Sequence, residues 1–130
     1  MRTHVGLYRL TKGRFGGTIQ GLKLVLLTTT GKKSGQLRTV PLGSFEDDGD
    51  RFIVASNAGA ATNPAWFNNL VANPDVTVQL GERVYRARAM VTSGEERARL
   101  WQQIVAQAPG YGRYTKKTSR ELPIVRLKAV

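Results

Sequence analysis

The sequence predicts a mainly β protein, an antiparallel barrel with peripheral helices, and three observations lead to this class. Apolar and polar residues alternate over about six short segments, as is typical of strands: 22–29, 37–46, 51–56, 75–80, 83–91 and 124–130. Turn sequences at 47–50 and 81–82 join neighbouring segments as hairpins, too closely for the crossover helices of a parallel sheet. Barrel closure also protects the edges of strands rich in Val, Leu and Thr. The chain is expected to form one domain over residues 1–130.

Two helices are predicted between the strands, each with its own start signal. Asn63 is a candidate N-cap, and Pro64 suits the first helical position. Helical spacing then puts four apolar side chains on one face, Trp66, Phe67, Leu70 and Val71. Ser93 and Glu96 have the spacing of a capping box, which opens a helix with the apolar residues Leu100, Trp101, Ile104 and Val105. Residues 1–18 are expected to form an N-terminal appendage, a short helix over 4–11 followed by a glycine-rich loop.

Several kinds of chemistry lack the residue types they need. Cysteine is absent, and the single histidine, His4, lies near the N-terminus. A disulfide framework, a thiolate nucleophile, a histidine-based triad and a zinc site are therefore not expected. No apolar run approaches the roughly 20 residues that span a bilayer, and the first residues lack a signal-peptide pattern. We expect a cytoplasmic protein without cysteine-based or histidine-based catalysis and without a metal site.

Positive charge is concentrated in two parts of the chain. Lysine and arginine outnumber aspartate and glutamate by 20 to 9, and the first 45 residues contain no acidic residue. Acidic residues cluster between Glu46 and Glu82, where Arg51 is the only basic residue, and basic residues dominate again from Arg83 onward. This distribution predicts a surface region of positive potential that attracts anions. The anion could be nucleic acid, an acidic lipid surface, or a phosphorylated and carboxylated small molecule.

A glycine-bracketed turn between two predicted strands is the first candidate for that anion site. The segment 31–35, GKKSG, does not fit the Walker pattern, and no helix follows it. It offers exposed backbone amides and the Ser34 hydroxyl, with Lys33 and Arg38 close enough to hold one anion together. The alternative is a solvated hairpin tip whose lysines serve solubility. Spacing alone leaves both interpretations open.

A second candidate is the small-residue loop in 55–69, ASNAGAATNPAWFNN, between a strand and a helix. Loops of Ala, Gly, Ser and Asn let a ligand approach the backbone closely, and the N-terminus of the helix adds affinity for anions. The alternative here is an ordinary connection, with Trp66 packed in the core.

Three segments together resemble the deazaflavin-dependent nitroreductase family. They are LLTTTGKKSGQLRTVPL, VASNAGAATNPAWFNNLVANPDVTVQ and GEERARLWQQIVAQAPGYGRYTKKTSRELPIVRL, in the family's order and at its spacing. The resemblance extends from about Leu7 to Leu127 and implies an antiparallel split β-barrel of the FMN-binding split-barrel type. It also implies coenzyme F420, an 8-hydroxy-5-deazaflavin with a phosphate and a glutamate tail, as the cofactor.

The resemblance further implies where the coenzyme lies. Lys33 and Arg38 would hold the phosphate and acidic tail, and residues 39–41 would lie along the deazaflavin ring. The full coenzyme-binding set is Lys32, Lys33, Ser34, Arg38, Thr39, Val40, Pro41, Ala55, Ser56, Asn57, Ala65, Trp66 and Asn69. The substrate-side set is Ser56, Tyr111 and Tyr114.

The expected function is hydride transfer from reduced F420 to an electron-poor small molecule: a quinone, an enone or unsaturated lactone, or a nitro-aromatic compound. The protein would place the reactive ring carbon and exclude water. Two alternatives stay open, a small basic barrel for single-stranded nucleic acid and a split barrel that binds FMN or haem. The oligomeric state and peripheral membrane contact through residues 1–18 also stay open, and no nucleic-acid partner is expected.

Overall fold

The computed structural model describes residues 18–19 and 22–130, in which seven strands form one antiparallel sheet. The strands are β1 (Thr18–Ile19), β2 (Leu22–Thr30), β3 (Leu37–Asp47), β4 (Asp50–Val54), β5 (Asp75–Leu80), β6 (Arg83–Val91) and β7 (Ile124–Ala129). Their order is β1-β2-β3-β4-β7-β6-β5, and β2 also pairs with β5. Strands β2 to β7 therefore close into a six-stranded antiparallel barrel, which confirms the predicted fold class.

Three helices and one 3-10 turn lie at the periphery of the barrel. They are α1 (Ala65–Ala72), α2 (Gly94–Gln107), α3 (Gly110–Tyr114) and the 3-10 turn Asn57–Gly59. The six predicted strands are all present, and two of them, β5 and β6, have the predicted bounds. Within residues 18–19 and 22–130, no helix combines the length and the apolar character that a membrane span requires. The helix and loop expected before residue 18 lie outside the described residues.

The barrel is split along β3. This strand pairs with β2 from Leu37 to Ser44, but it pairs with β4 only from Phe45 to Asp47. Along Leu37–Ser44, the opposite edge of β3 has no strand partner within the part of the chain that the structure describes. The opening that results lies beside α1 and the loop before it, and both candidate segments therefore meet at this gap.

Two large apolar clusters hold the fold together, beside a small third one of Leu24 and Leu26. One fills the barrel interior with alternate residues of the strands, among them Val25, Leu27, Ile53, Val78 and Leu127. The other packs the outer face of β3 and β4 against α2 and α3; its members include Phe45, Phe52, Leu100, Ile104 and Tyr111. Phe45 and Phe52 stack with ring centroids 5.2 Å apart. The period-2 pattern of the strands supplies both faces, because successive side chains point to opposite sides of a sheet.

The predicted helix-capping contacts are wrong in detail. Helix α1 begins after Pro64, and Asn63 makes no cap hydrogen bond, because its Oδ1 accepts one from Arg120 instead. Helix α2 does begin after Ser93, but no side-chain cap forms, and the Glu96 carboxylate accepts from Arg126 on β7. In both cases the side chain that the local pattern predicted as a cap accepts a hydrogen bond from an arginine distant in the sequence.

The apolar face of α1 is narrower than predicted. Trp66 and Leu70 are buried, whereas the Val71 residue is 57% exposed. Phe67 is partly buried against the interior cluster. The eight-residue helix contacts the barrel along one line only, so Val71 at the edge of the predicted stripe faces away from the core.

Candidate active site

A basic cavity of about 840 Å³ lies at the split, between the β2–β3 turn, β3 and α1. Its lining includes nine of the predicted coenzyme-binding residues: Lys32, Lys33, Ser34, Arg38, Thr39, Val40, Ala65, Trp66 and Asn69. The volume is within the usual range of about 300–1,000 Å³ for ligand pockets. Strands β2 and β3 place the turn at one end of this cavity, and α1 forms the wall that faces it.

The β2–β3 turn directs free backbone amides toward solvent. Its internal hydrogen bonds run from the Gly35 amide to the Gly31 carbonyl (2.9 Å) and from the Gly31 amide to the Gln36 carbonyl (2.7 Å). At Gly31 a Cβ would lie 2.6 Å from the Ser34 Oγ and 3.2 Å from the Gln36 carbonyl oxygen, so a larger residue would force the Ser34 side chain to move. Within the described chain, no hydrogen bond uses the amides of Lys33 and Ser34. These two successive amides are therefore available to donate to an anion.

The cations of the basic cavity have no acidic partners. Lys32, Lys33 and Arg38 are exposed, and none of them takes part in an ion pair among the described residues. By contrast, Arg126 contacts three carboxylates on the other side of the barrel. The ion pairs of the described residues therefore lie away from the basic cavity, and no carboxylate pairs with its lysines and arginine.

Asn69 joins α1 to the hairpin at the cavity wall. Its Oδ1 accepts a hydrogen bond from the Lys32 amide (3.0 Å), and its Nδ2 donates one to the Thr29 Oγ1 (3.2 Å). In the next β2–β3 residue pair, the hydroxyls of Thr28 and Thr39 are hydrogen-bonded at a distance of 2.8 Å. Asn69 therefore fixes the distance between the turn and the helix as well as lining the cavity.

A second cavity of about 290 Å³, named here the Tyr111 cavity, adjoins the first. It is lined by Pro41, Leu42, Gly43, Val54, Ser56, Asn57, Ala58, Pro64, Trp66 and Tyr111. Trp66 lines both cavities, and consecutive residues of β3 line one or the other. One extended molecule could therefore occupy both cavities, with its anionic part near the turn and a flat apolar part beside Trp66.

Tyr111 is the buried aromatic wall of this second cavity. The residue is 8% exposed, and its ring lies 5.9 Å from that of Phe45 and 5.6 Å from that of Tyr114. Burial raises the pKa of the Tyr111 hydroxyl, and the neighbouring Tyr114 adds to the effect. The hydroxyl therefore stays protonated at neutral pH and is available to donate a hydrogen bond.

Two predicted site residues lie elsewhere. Ala55 is fully buried among the interior cluster and lines neither cavity. Tyr114 lines a separate cavity of about 450 Å³ with Arg113 and Lys117. Tyr114 reaches the Tyr111 cavity only through its ring contact with Tyr111.

One arginine near the site was missed by the sequence reasoning. Arg120 donates hydrogen bonds to the loop that runs from Ala55 to Asn63 and lines part of the Tyr111 cavity. No local pattern signals this role, because its partners are 57 to 65 residues away in sequence. In the sequence it is one basic residue among several in a basic segment.

The fold and the two adjoining cavities define a class: a split β-barrel suited to a cofactor with an anionic tail and a flat ring. Comparison with known proteins identifies the family. The family model for F420H(2)-dependent quinone reductase matches residues 1–129. The chain therefore belongs to the F420H(2)-dependent quinone reductase family, and it is an F420-dependent oxidoreductase.

Individual relatives agree with this assignment. An F420H(2)-dependent quinone reductase of Mycobacterium tuberculosis is 40% identical over 132 residues, covering 98% of this chain and 88% of that protein. A solved F420-H2 dependent reductase, FDR-A, superposes with a TM-score of 0.74 at 42% identity, over 81% of this chain and 93% of that one. A structure described as a domain-swapped dimer matches with a TM-score of 0.78 at 35% identity, over 98% and 95% of the two chains.

The residues present fit the coenzyme. The free amides and unpaired cations of the basic cavity suit a phosphate and carboxylates. The backbone at Pro41 donates no hydrogen bond, and Trp66 offers an apolar surface to a ring. The lining of the basic cavity therefore fits the anionic groups of F420, and that of the Tyr111 cavity offers an apolar surface.

Proposed function

We propose that this protein holds reduced F420 across the two adjoining cavities and reduces quinones in the Tyr111 cavity. The observation that supports this arrangement is the shared wall at Trp66, which separates a basic cavity from one lined by Pro41, Leu42 and Tyr111. Lys33, Arg38 and the amides of the turn bind the phosphate and tail, and residues 39–41 support the ring. Ser56 and Asn57 lie beside the deazaflavin ring, and Ser56 also faces the substrate.

When bound, reduced F420 supplies a hydride equivalent. The protein residues supply position, a dry surface and a proton. Trp66 and Pro41 orient the ring, and the buried side of the Tyr111 cavity excludes water from one face of the substrate. Conversion of a quinone to a hydroquinone needs one proton besides the hydride. The Tyr111 hydroxyl holds that proton within the cavity, and no nucleophilic residue is required.

The range of substrates follows from the same geometry. Enones, unsaturated lactones and nitro-aromatic compounds share with quinones an electron-poor acceptor of hydride. We propose that flat members of these classes are also reduced, at rates set by their fit in a cavity of about 290 Å³. Parallel turnover assays with a quinone, an enone and a nitro-aromatic compound at equal concentration test this range.

A direct binding comparison tests the cofactor. Purified protein is titrated with F420, FMN and a single-stranded oligonucleotide, and reduced F420 is then mixed with a quinone with and without protein. We expect saturable F420 binding, weaker FMN and oligonucleotide binding, and protein-dependent oxidation of reduced F420. Tighter FMN binding, or oligonucleotide binding that displaces F420, would support the alternatives instead.

A cytoplasmic location, and membrane contact through residues 1–18, stay predictions. One related structure is described as a domain-swapped dimer, and we propose that this chain can also form oligomers. Light scattering on a size-exclusion column, with and without F420, measures the state directly.

A further inference from the structure

Arg120 is bonded almost entirely to one loop. Its Nη1 donates to the Asn63 Oδ1 (2.6 Å) and the Ala55 carbonyl (3.2 Å). Its Nη2 donates to the Ser56 carbonyl (2.8 Å), and its Nε donates to the Ala60 carbonyl (2.9 Å). A guanidinium group has five N–H donors in a fixed plane, so this loop takes four of them.

The loop needs such support because its backbone is unfavourable. Asn57 and Ala58 have φ angles of 47° and 54°, and Gly59 follows with 81°. Residues with a Cβ rarely adopt this left-handed region, and they keep it only where surrounding structure holds them there. The loop's own bonds are short-range, from the Gly59 amide to the Ser56 carbonyl and from the Ala60 amide to the Asn57 carbonyl.

The same contacts connect two walls of the Tyr111 cavity. Ser56, Asn57 and Ala58 line it from the loop, and Tyr111 lines it from α3. Arg120 follows α3 in the chain, so its four bonds fasten the segment after α3 to the loop. Gly59 adds a close approach, because a Cβ there would lie 3.0 Å from the side chain of Lys117.

We propose that Arg120 is a positioning residue that sets the geometry of the Ser56–Asn57 wall for F420 and, through it, the distance of that wall from Tyr111. This inference rests on the proposed function of the two cavities. Arg120 touches neither cavity itself and acts through the carbonyl of Ser56 and the left-handed turn that follows it.

The planar geometry of the group matters here more than its charge. Within the described residues Arg120 makes no ion pair, and its acceptors are neutral carbonyl and amide oxygens. A lysine keeps the charge, but its single ammonium group cannot reach four acceptors spread over the loop. Replacement by lysine should therefore fail to restore the wall.

The experiment uses the full chain with three substitutions and a matched control. Arg120→Ala removes all four bonds, and Arg120→Lys keeps the charge. Asn63→Ala removes a single bond and serves as the milder variant if Arg120→Ala folds poorly. Lys116→Ala is the control, because Lys116 is exposed and its side chain makes no hydrogen bond or ion pair among the described residues. F420 affinity, quinone turnover, melting temperature and amide exchange at residues 56–60 are measured on each.

We expect Arg120→Ala and Arg120→Lys to weaken F420 binding by about tenfold each, equivalent to about 1.4 kcal/mol. Amide exchange of Gly59 and Ala60 should become faster in both, and Asn63→Ala should show the same changes to a smaller extent. Lys116→Ala should match the wild type in all four measurements.

Three results would overturn the inference. Full affinity in Arg120→Lys would show that charge alone suffices, and full affinity in Arg120→Ala with a lower melting temperature would show a purely structural role. Unchanged exchange at Gly59 and Ala60 would show that the loop does not depend on Arg120. Failure of the wild type to bind F420 would instead contradict the proposed function, and the exchange measurement separates the two failures.

Discussion

The first prediction concerns the contribution of single cations at the β2–β3 turn to F420 binding. Replacing Lys33 or Arg38 by alanine should weaken F420 binding by about 1.5–3 kcal/mol, the usual value for a hydrogen bond to a charged group. Arg38→Ala should cost more, because arginine can bind a phosphate or carboxylate with two parallel bonds. Isothermal titration with F420 measures the change. Lys23→Ala, an exposed lysine at the start of β2 that lines neither cavity, is the control; an equal loss there would indicate a non-specific charge effect.

The Tyr111 hydroxyl carries the second prediction. Tyr111→Phe keeps the ring contacts with Phe45 and Tyr114, so stability and F420 affinity should change little. Quinone turnover should fall by about 10²-fold or more, the usual contribution of a positioned proton donor. Tyr114→Phe should keep its turnover, because Tyr114 lies outside the Tyr111 cavity. Steady-state kinetics measure quinone turnover in both variants. Equal turnover in Tyr111→Phe and Tyr114→Phe would contradict this role for Tyr111.

At the scale of elements, the left-handed turn at Gly59 can be tested with a matched glycine. Gly59 and Gly49 have φ angles of 81° and 83°, but only Gly59 has neighbours where a Cβ would lie. Gly49→Ala should therefore lower the free energy of unfolding only by the cost of a left-handed backbone for a residue with a Cβ, about 1–2 kcal/mol.

Gly59→Ala adds an approach of 3.0 Å to the Lys117 side chain and 3.2 Å to the Tyr114 carbonyl oxygen, so it should cost more. It should also weaken F420 binding, whereas Gly49→Ala should not. Urea unfolding and F420 titration give both quantities. Equal stability losses would mean that the loop moves away from α3 at no cost.

Helix α2 is fastened to the barrel by a group of charges around Asp47. The Asp47 carboxylate accepts from Arg99 on α2 (2.8 Å) and from Arg126 on β7 (2.6 Å), and these two arginines lower its pKa from 3.8 to about 2. A carboxylate with a lowered pKa in the folded state contributes stability that is fully present above its unfolded pKa. That contribution is lost as the pH falls through the folded value.

The free energy of unfolding of the wild type should therefore exceed that of Asp47→Asn above pH 3.8, and the difference should shrink as the pH falls toward about 2. Urea unfolding at a series of pH values measures it. Asp48→Asn is a suitable control, because Asp48 takes part in none of the ion pairs described for this region. A difference that stayed constant over this range would contradict the assignment of the acid-sensitive contribution to Asp47.

At the scale of the whole molecule, charge is divided between two regions. Asp47 and Asp50 pair with arginines of α2 and β7, and the acid-free first 45 residues supply Lys32, Lys33 and Arg38. Exposed charge contacts are screened over roughly 10 Å at 0.1 M salt. F420 affinity should therefore fall steadily as salt is raised, while the affinity of a ring fragment without phosphate and glutamates should stay nearly constant. Equal salt dependence of both ligands would contradict binding of the tail in the basic cavity.

Much of the fold was predictable because its signals are local. Alternation along β5 and β6, with a glycine turn at Gly81 between them, determined both strands to the residue. The hairpin around Gly31 and its cluster of cations were equally readable, since the turn residues and the charges lie within one short segment. Resemblance to a family then assigned to those charges an anionic coenzyme that composition alone left unspecified.

What only the tertiary structure decided depends on contacts between distant residues. The opening along β3 arises because β4 leaves β3 after Phe52, and its last two residues, Ile53 and Val54, pair with β7 alone. The basic cavity and the Tyr111 cavity meet at Trp66 beside this opening. Asn63 and Glu96 were predicted to cap helices, yet each bonds to an arginine 57 or 30 residues away. The local pattern determined which elements form, because their hydrogen bonds are local. The contact of Arg120 with the loop at 55–63, and of Tyr111 with the cavity that this loop lines, depended on tertiary packing, because only packing brings such distant parts of the chain together.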